Sequence, residues 1–158
     1  MIPTIKYFRI TVVHKWFVLV AGLRLRVSLW RLIAHDWTKF IPQNTRQYGR
    51  QFFGDQGDPL GFAITWCRHQ NAHDHHWEFW IPRTGHNRSV PPYPDNEPLP
   101  MPEMAIREMV ADWYGASRAY EGKWPNGSWP WFEKNFDKIR LHPQTRARVL
   151  EIVQGGRA

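Results

Sequence analysis

Four of the eight histidines of this chain, His69, His73, His75 and His76, fall within residues 66–78, and a His35-Asp36 pair lies upstream of them. Imidazole nitrogens and carboxylate oxygens together suit the borderline divalent metals of the first row, and a chain seldom gathers so many unless they converge on an ion. On a regular helix, residues four and seven apart share a face, so His69, His73 and His76 would form a stripe while His75 points about 100° away from His76. A bend near His75 would let either member of that pair turn inward. His35 and Asp36 also diverge by about 100° on a helix and share an ion most readily at a helix end, which residues 37–40 and Pro42 supply. Lys39 then stands one turn away, a cation suited to a phosphate oxygen. Further along, Glu108 and Asp112 share one helix face. A metal-bound histidine usually passes its second ring N–H to a carboxylate or carbonyl, which marks Glu78 and Glu108 as such partners, or as a general acid or base. Asp74 reads as an ordinary solvated carboxylate.

The elements that must position these side chains read as helices separated by proline and glycine. Helices are expected over residues 5–21, closing near Gly22, over 25–35 and over 43–53. Asp58-Pro59 has the form of an N-cap followed by proline at the first helical position, opening a long helix that carries the histidine run. Residues 81–101 are proline-rich and form an irregular loop, whose Arg83, His86 and Arg88 would suit a basic flap over an anionic ligand. Pro102 opens a helix over 103–120, Ser128 caps one over 129–141, and Pro143 begins a last amphipathic helix ending before Gly155. No alternating strand pattern and no internal repeat stands out. The expectation is one all-α domain over residues 1–158, a compact bundle of six or seven helices.

Length and composition agree with a single domain: 158 residues can bury a real core, and ten Trp, nine Phe and five Tyr would fill it with large flat side chains. The net charge of +7 favours polyanions. Lys and Arg are scattered along the chain, so a dedicated nucleic-acid arm is not visible, and a phosphorylated small molecule or nucleotide is favoured over nucleic acid as partner. A single cysteine, Cys67, excludes an intrachain disulfide and points to the cytoplasm; it reads as a small buried apolar residue. Residues 10–23 are partly apolar, but His14 and Lys15 interrupt them and they are too short to span a bilayer, so no membrane partner is expected.

The order His14, His35-Asp36 followed by Lys39, then His69, His75-His76 and finally Asp112 resembles the ligand order of the HD superfamily of metal-dependent phosphohydrolases. The resemblance implies an all-helical bundle in which His14, His35, Asp36 and Asp112 hold one metal, His69 with His75 or His76 holds a second, and Asp36 bridges the two. His73 becomes a bystander. It further implies one or two divalent ions (Mn, Fe, Zn, Co or Mg), hydrolysis of a nucleotide or other phosphoester, and catalytic roles for Asp36, Lys39, Glu78 and Glu108. Lys39, Arg83 and Arg88 would grip phosphate oxygens, and Trp37, Trp77 or Trp80 could stack a base. Two ions held together would stabilise charge on the phosphoryl oxygens and lower the pKa of water toward about 7. Two alternatives use the same residues: a di-iron HD-type oxygenase, and a non-catalytic factor that uses the ion to hold its helices while binding a nucleotide or partner. The chain also resembles a family of short, uncharacterised phage and bacterial proteins sharing a His-Asp-x-(Ser/Thr)-Lys-Phe segment, a His-His-Trp-Glu segment and a Met-Pro-to-Asp-Trp helix, which implies a phage-encoded protein in a host cytoplasm.

Overall fold

Among the described residues proline opens five of seven helices, where its missing N–H is unsatisfied in any case and its fixed φ suits the first turn. A computed structural model describes residues 2–82, 97–125 and 128–155. In chain order the helices are α1 (Pro3–Arg24), α2 (Leu29–Ala34), α3 (Pro42–Phe53), α4 (Pro59–Ala72), α5 (Glu103–Tyr120), α6 (Pro130–Asn135) and α7 (Pro143–Gly155). Short 3-10 turns cover Trp37–Phe40, Trp77–Trp80 and Phe136–Lys138, and no strand occurs among the described residues. The chain is all-α, as expected, and no helix of the described residues is long and apolar enough to cross a membrane. Arg83, His86 and Arg88 lie outside the described residues.

Several boundaries differ from expectation for local reasons. The helix expected over 25–35 starts only at Leu29, because Arg26 takes a left-handed conformation (φ 58°) that ends the preceding helical run. The long helix expected to carry all four clustered histidines stops at Ala72, and His73 is extended (φ −129°, ψ 112°). Only His69 remains on α4, so the predicted stripe does not form. The Asp58 cap is present, its side chain accepting from Gly61 N at 2.9 Å. The helix expected over 129–141 divides into α6 and a 3-10 turn, and its first turn is held not by Ser128 but by the Glu133 carboxylate, which accepts the Trp129 backbone N–H at 3.1 Å.

The central element is α1, which packs along α5 on one side and α3 on another. Close approach depends on glycine: a Cβ on Gly115 of α5 would sit 2.7 Å from Val18 N, and one on Gly49 of α3 would sit 2.8 Å from Thr4 Cα. Pairing of Val18 with Gly115, and of the Leu25 carbonyl with the Arg107 guanidinium at 2.9 Å, makes α1 and α5 antiparallel. On the far side of α5, Met109 and Val110 pack with Trp129, Phe132 and Phe136 and with Val149 and Val153 of α7. There the Trp129 indole N–H, buried, donates to Ser117 Oγ at 2.9 Å, so the aromatic core leaves no polar edge unpaired at that ring.

Because the obstacle at Gly115 includes α1 backbone rather than a movable side-chain tip, Gly115→Ala is expected to destabilise the fold by about 1–3 kcal/mol despite alanine's better helix propensity. Gly155→Ala, whose Cβ meets nothing within 4 Å, is the control and is expected to be neutral in the same denaturant titration.

Candidate metal centre

The first half of the centre is built where α2 ends. His35 leaves the helix in an extended conformation (ψ 127°), and Asp36 is left-handed (φ 56°, ψ 24°), a conformation that Asp tolerates better than most residues. This reversal brings both side chains to one side, with His35 Nε2 3.5 Å from Asp36 Oδ2. The bend is braced from outside. Lys15 Nζ donates to the carbonyls of Ile33 (2.8 Å) and His35 (2.5 Å), which the end of α2 would otherwise leave unpaired. Asn44 Nδ2 donates to the Thr38 carbonyl and Thr45 Oγ1 to that of Lys39, both at 2.8 Å, tying the following turn to α3.

The second half is built where α4 ends. His76 N donates to the His73 carbonyl at 3.1 Å, and the Trp80 indole donates to the Asp74 carbonyl at 2.7 Å. The resulting turn sends His75 and His76 inward together with His69.

Asp36 lies at the junction. Its Oδ2 faces His14 Nε2 (3.7 Å) and His35 Nε2 (3.5 Å), while its Oδ1 faces His69 Nε2 (3.3 Å) and His75 Nε2 (3.4 Å). Asp112 Oδ1 completes the first set, 2.9 Å from His14 Nε2 and 3.4 Å from His35 Nε2. His76 joins the second, its Nε2 2.9 Å from His69 Nε2. His35, Asp36, His69 and His75 are each only 1% exposed. Four atoms at this junction, His14 Nε2, His35 Nε2, His75 Nε2 and Asp36 Oδ1, are buried without a hydrogen-bond partner. Each such atom costs on the order of 1–3 kcal/mol unless something satisfies it. These buried groups could hold a metal ion, and the donor set suits a borderline divalent cation. His14, His35, Asp36 and Asp112 form one group, and Asp36 recurs in others with His75 and His76 and with His69 and His73.

Behind these side chains runs a row of residues that orient them. Glu108 Oε1 accepts from His35 Nδ1 (2.9 Å) and His75 Nδ1 (3.2 Å), which turns both Nε2 atoms toward Asp36. Arg31 Nε donates to the other Glu108 oxygen at 2.7 Å and the same guanidinium pairs with Asp74. Asp74 is therefore not the solvated carboxylate expected of it, but the outer end of an Asp74–Arg31–Glu108 chain. Glu108, expected either to accept a second imidazole N–H or to act as an acid or base, lies behind the imidazoles with both oxygens engaged, by His35 and His75 on one and Arg31 on the other. Thr38 Oγ1 sits 2.6 Å from His69 Nδ1 and 2.9 Å from His73 Nε2, so His73 is buried within the cluster through Thr38. Arg31, Thr38 and Lys15 were not singled out by sequence reasoning. Arg31 stands one helical turn before His35 and Thr38 lies between Asp36 and Lys39, and those spacings are the signals that could have marked them.

Electrostatics divide the histidines into two kinds. Burial works against a charge on His35, but Asp36, Asp112 and Glu108 outweigh it and push its pKa up to about 9. His14 and His75 are raised in the same way, burial being overcome by Asp112 and Asp36 for the first and by Asp36 and Glu108 for the second. Asp36 and Asp112 are held well below the usual carboxylate range, their burial being outweighed by the neighbouring imidazoles and, for Asp36, by Lys39 as well. Burial dominates at His69, lowered to about 2, and at His76, lowered to about 3, so both are neutral with a lone pair to offer.

A cavity of about 800 Å³ opens onto this cluster. His14, His75, His76 and Asp112 reach its surface, joined by Lys39 and Glu78, and its walls are largely aromatic, with Tyr7, Tyr48, Tyr120 and Trp113 among them. Of the tryptophans proposed to stack a base, Trp77 lines this cavity, whereas Trp37 lines a separate outer groove and Trp80 is spent on the Asp74 carbonyl. Cys67 is exposed rather than buried, on the part of α4 that turns from the cluster.

Two sets of donors sharing Asp36 predict uptake of two divalent ions per chain, read by calorimetry and elemental analysis on metal-stripped protein. His14→Ala and His69→Ala are each expected to leave one ion, and Glu108→Gln to weaken binding about 10–100-fold with stoichiometry kept. A cation must displace the proton on His35, so apparent affinity is expected to rise from pH 6 to about 9, where that competition ends.

No curated protein and no solved structure matches the chain. The model of a Family of unknown function (DUF5662) matches residues 4–155, and the chain belongs to that family.

Proposed function

We propose that this protein is a metal-dependent phosphohydrolase of HD type, acting on a nucleotide or another phosphoester. The observation that carries the reading is the placement of Asp36, whose two oxygens face two separate sets of imidazole Nε2 atoms at 3.3–3.7 Å. His14, His35 and Asp112 would complete one ion site, and His69, His75 and His76 the other. When bound, divalent ions there supply Lewis-acid polarisation of a phosphoryl oxygen and a water of lowered pKa.

The chain's own residues account for the rest. Lys39 Nζ lies 2.5 Å from Asp36 Oδ2 and borders the cavity, where it can hold a non-reacting phosphate oxygen while its charge is secured by Asp36 against burial. The hydroxyls of Tyr7 and Tyr48 are kept neutral by burial, which makes them donors toward an anion; that of Tyr48 is buried without a partner. Glu78 borders the same cavity, and burial raises its pKa, so it retains a proton to higher pH than an exposed carboxyl would. It is suited to protonate a leaving oxygen. The aromatic walls fit a substrate with a flat apolar portion, as in a nucleoside, and the net charge of +7 draws anions toward the molecule. An exposed free Cys67 accords with a reducing, cytoplasmic setting.

The test is to strip the protein, reload it singly with Mn, Co, Fe, Zn or Mg, and offer nucleoside mono-, di- and triphosphates and cyclic dinucleotides. Phosphoester cleavage with at least one metal is expected. Asp36→Asn, which tolerates the left-handed backbone, is expected to lower kcat on the order of 10³-fold or more with the fold retained. Absence of cleavage under every metal, or oxygen consumption by the iron-loaded form in its place, defeats the hydrolase reading.

A further inference from the structure

The outer face formed by α1, α2 and the Trp37–Phe40 turn combines two properties. It is apolar and exposed. Phe8, Val12 and Trp16 follow at four-residue spacing along one side of α1, and the groove beside them, about 560 Å³, is lined by Val12, Trp16, Leu19, Ile33, Trp37 and Phe40. Phe8 meets Phe40 edge-on at 5.9 Å, which makes the row and the groove one surface. Trp30 on α2 is 77% exposed, Trp16 60% and Trp37 55%. Monomeric proteins seldom leave contiguous apolar surface of this kind uncovered unless it meets a partner.

The same stretch is also one-sided in charge. Residues 1–53 contain nine Lys and Arg against a single acid, Asp36, and that acid is 1% exposed. Lys39 is taken by Asp36, Arg31 by Asp74 and Glu108, and Arg50 by Asp55, which leaves a surplus of exposed cations: Lys6 on α1, and Arg24 and Arg26 past the end of the row in a groove shared with Glu151. Exposed Trp, Phe and Leu near a surplus of exposed Lys and Arg match the chemistry of an anionic bilayer surface: apolar rings enter the boundary between headgroups and acyl chains while the cations meet lipid phosphates. We propose that this face docks the protein, peripherally, on an anionic lipid surface. That no helix of the described residues is long and apolar enough to cross a membrane concerns spanning and does not bear on lying at the surface.

Charge and shape argue against the other occupants. A second copy joined by a two-fold axis would set this surplus of exposed cations against itself. Single-stranded nucleic acid would suit the cations, but it prefers successive aromatic platforms, and here aliphatic Val12, Leu19, Leu29 and Ile33 intervene.

Flotation of the full chain with vesicles of phosphatidylcholine alone, and of phosphatidylcholine mixed with phosphatidylglycerol, tests the proposal. Binding to the mixed vesicles only, weakened by salt, is expected, with tryptophan emission quenched by brominated acyl chains. The double variant Trp16→Ser/Trp30→Ser and the pair Lys6→Glu/Arg24→Glu are each expected to bind at least about tenfold more weakly, with circular dichroism and metal uptake unchanged. The quenching measurement needs no variant and decides the matter if either pair fails to fold. Failure to bind, or equal binding to both vesicle types, overturns the proposal. Single-stranded oligonucleotide binding, or a dimer in sedimentation that the tryptophan variant abolishes, would overturn it too if vesicles are not bound.

Discussion

The Asp36 carboxylate is a full negative charge withdrawn from water at the meeting point of four chain segments, and the arrangement around it follows from the need to compensate that charge. An isolated buried carboxylate would cost far more than the net stability of a domain of this size and would take up a proton instead. Asp36 stays ionised because Lys39 pairs with it at 2.5 Å and four imidazole nitrogens face it at 3.3–3.7 Å. Three of those imidazoles are oriented from behind through Nδ1, His35 and His75 by Glu108 and His69 by Thr38.

Helix packing supplies these partners at the right height. α5 presents Glu108 and Asp112 one turn apart, so one helix orients the imidazoles from behind and contributes a carboxylate in front. His14 reaches Asp112 only because α1 lies close against α5, an approach that Gly115 permits where it faces Val18. Packing and electrostatics are thus coupled at this crossing. The Arg31–Asp74 pair extends the coupling outward, since it fixes Glu108 from one helix and the His73–His76 turn from another.

Two surfaces emerge from the same bundle with opposite character. Inside, aromatic side chains enclose a cavity floored by the buried polar cluster, which suits an anionic ligand with an apolar part. Outside, α1 turns its other side to solvent as an apolar row among cations. The face of α1 that carries Tyr7, His14 and Val18 is buried, and the one that carries Phe8, Val12 and Trp16 is not. A single helix therefore separates the candidate chemistry from the candidate docking surface.

Much of this was written in residue types and spacing. Helix starts were legible at Pro42, Pro59, Pro102 and Pro143, because proline's chemistry is local, and the histidines with Asp36 and Asp112 were legible as types that can ligate a metal because few other uses gather them. What local pattern could not resolve was the path of the backbone at Arg26, Asp36 and His73: whether a helix continues or breaks there depends on tertiary partners such as Lys15, Thr38 and Arg31, which lie far away in sequence or look like ordinary surface residues. The sequence by itself determined an all-helical chain rich in side chains that could hold a metal ion. Only the tertiary structure decided which imidazole faces which oxygen of Asp36, that Glu108 stands behind the cluster and not before it, and which aromatic residues line the cavity rather than the outer surface. Those are matters of direction, and direction arises only when helices pack.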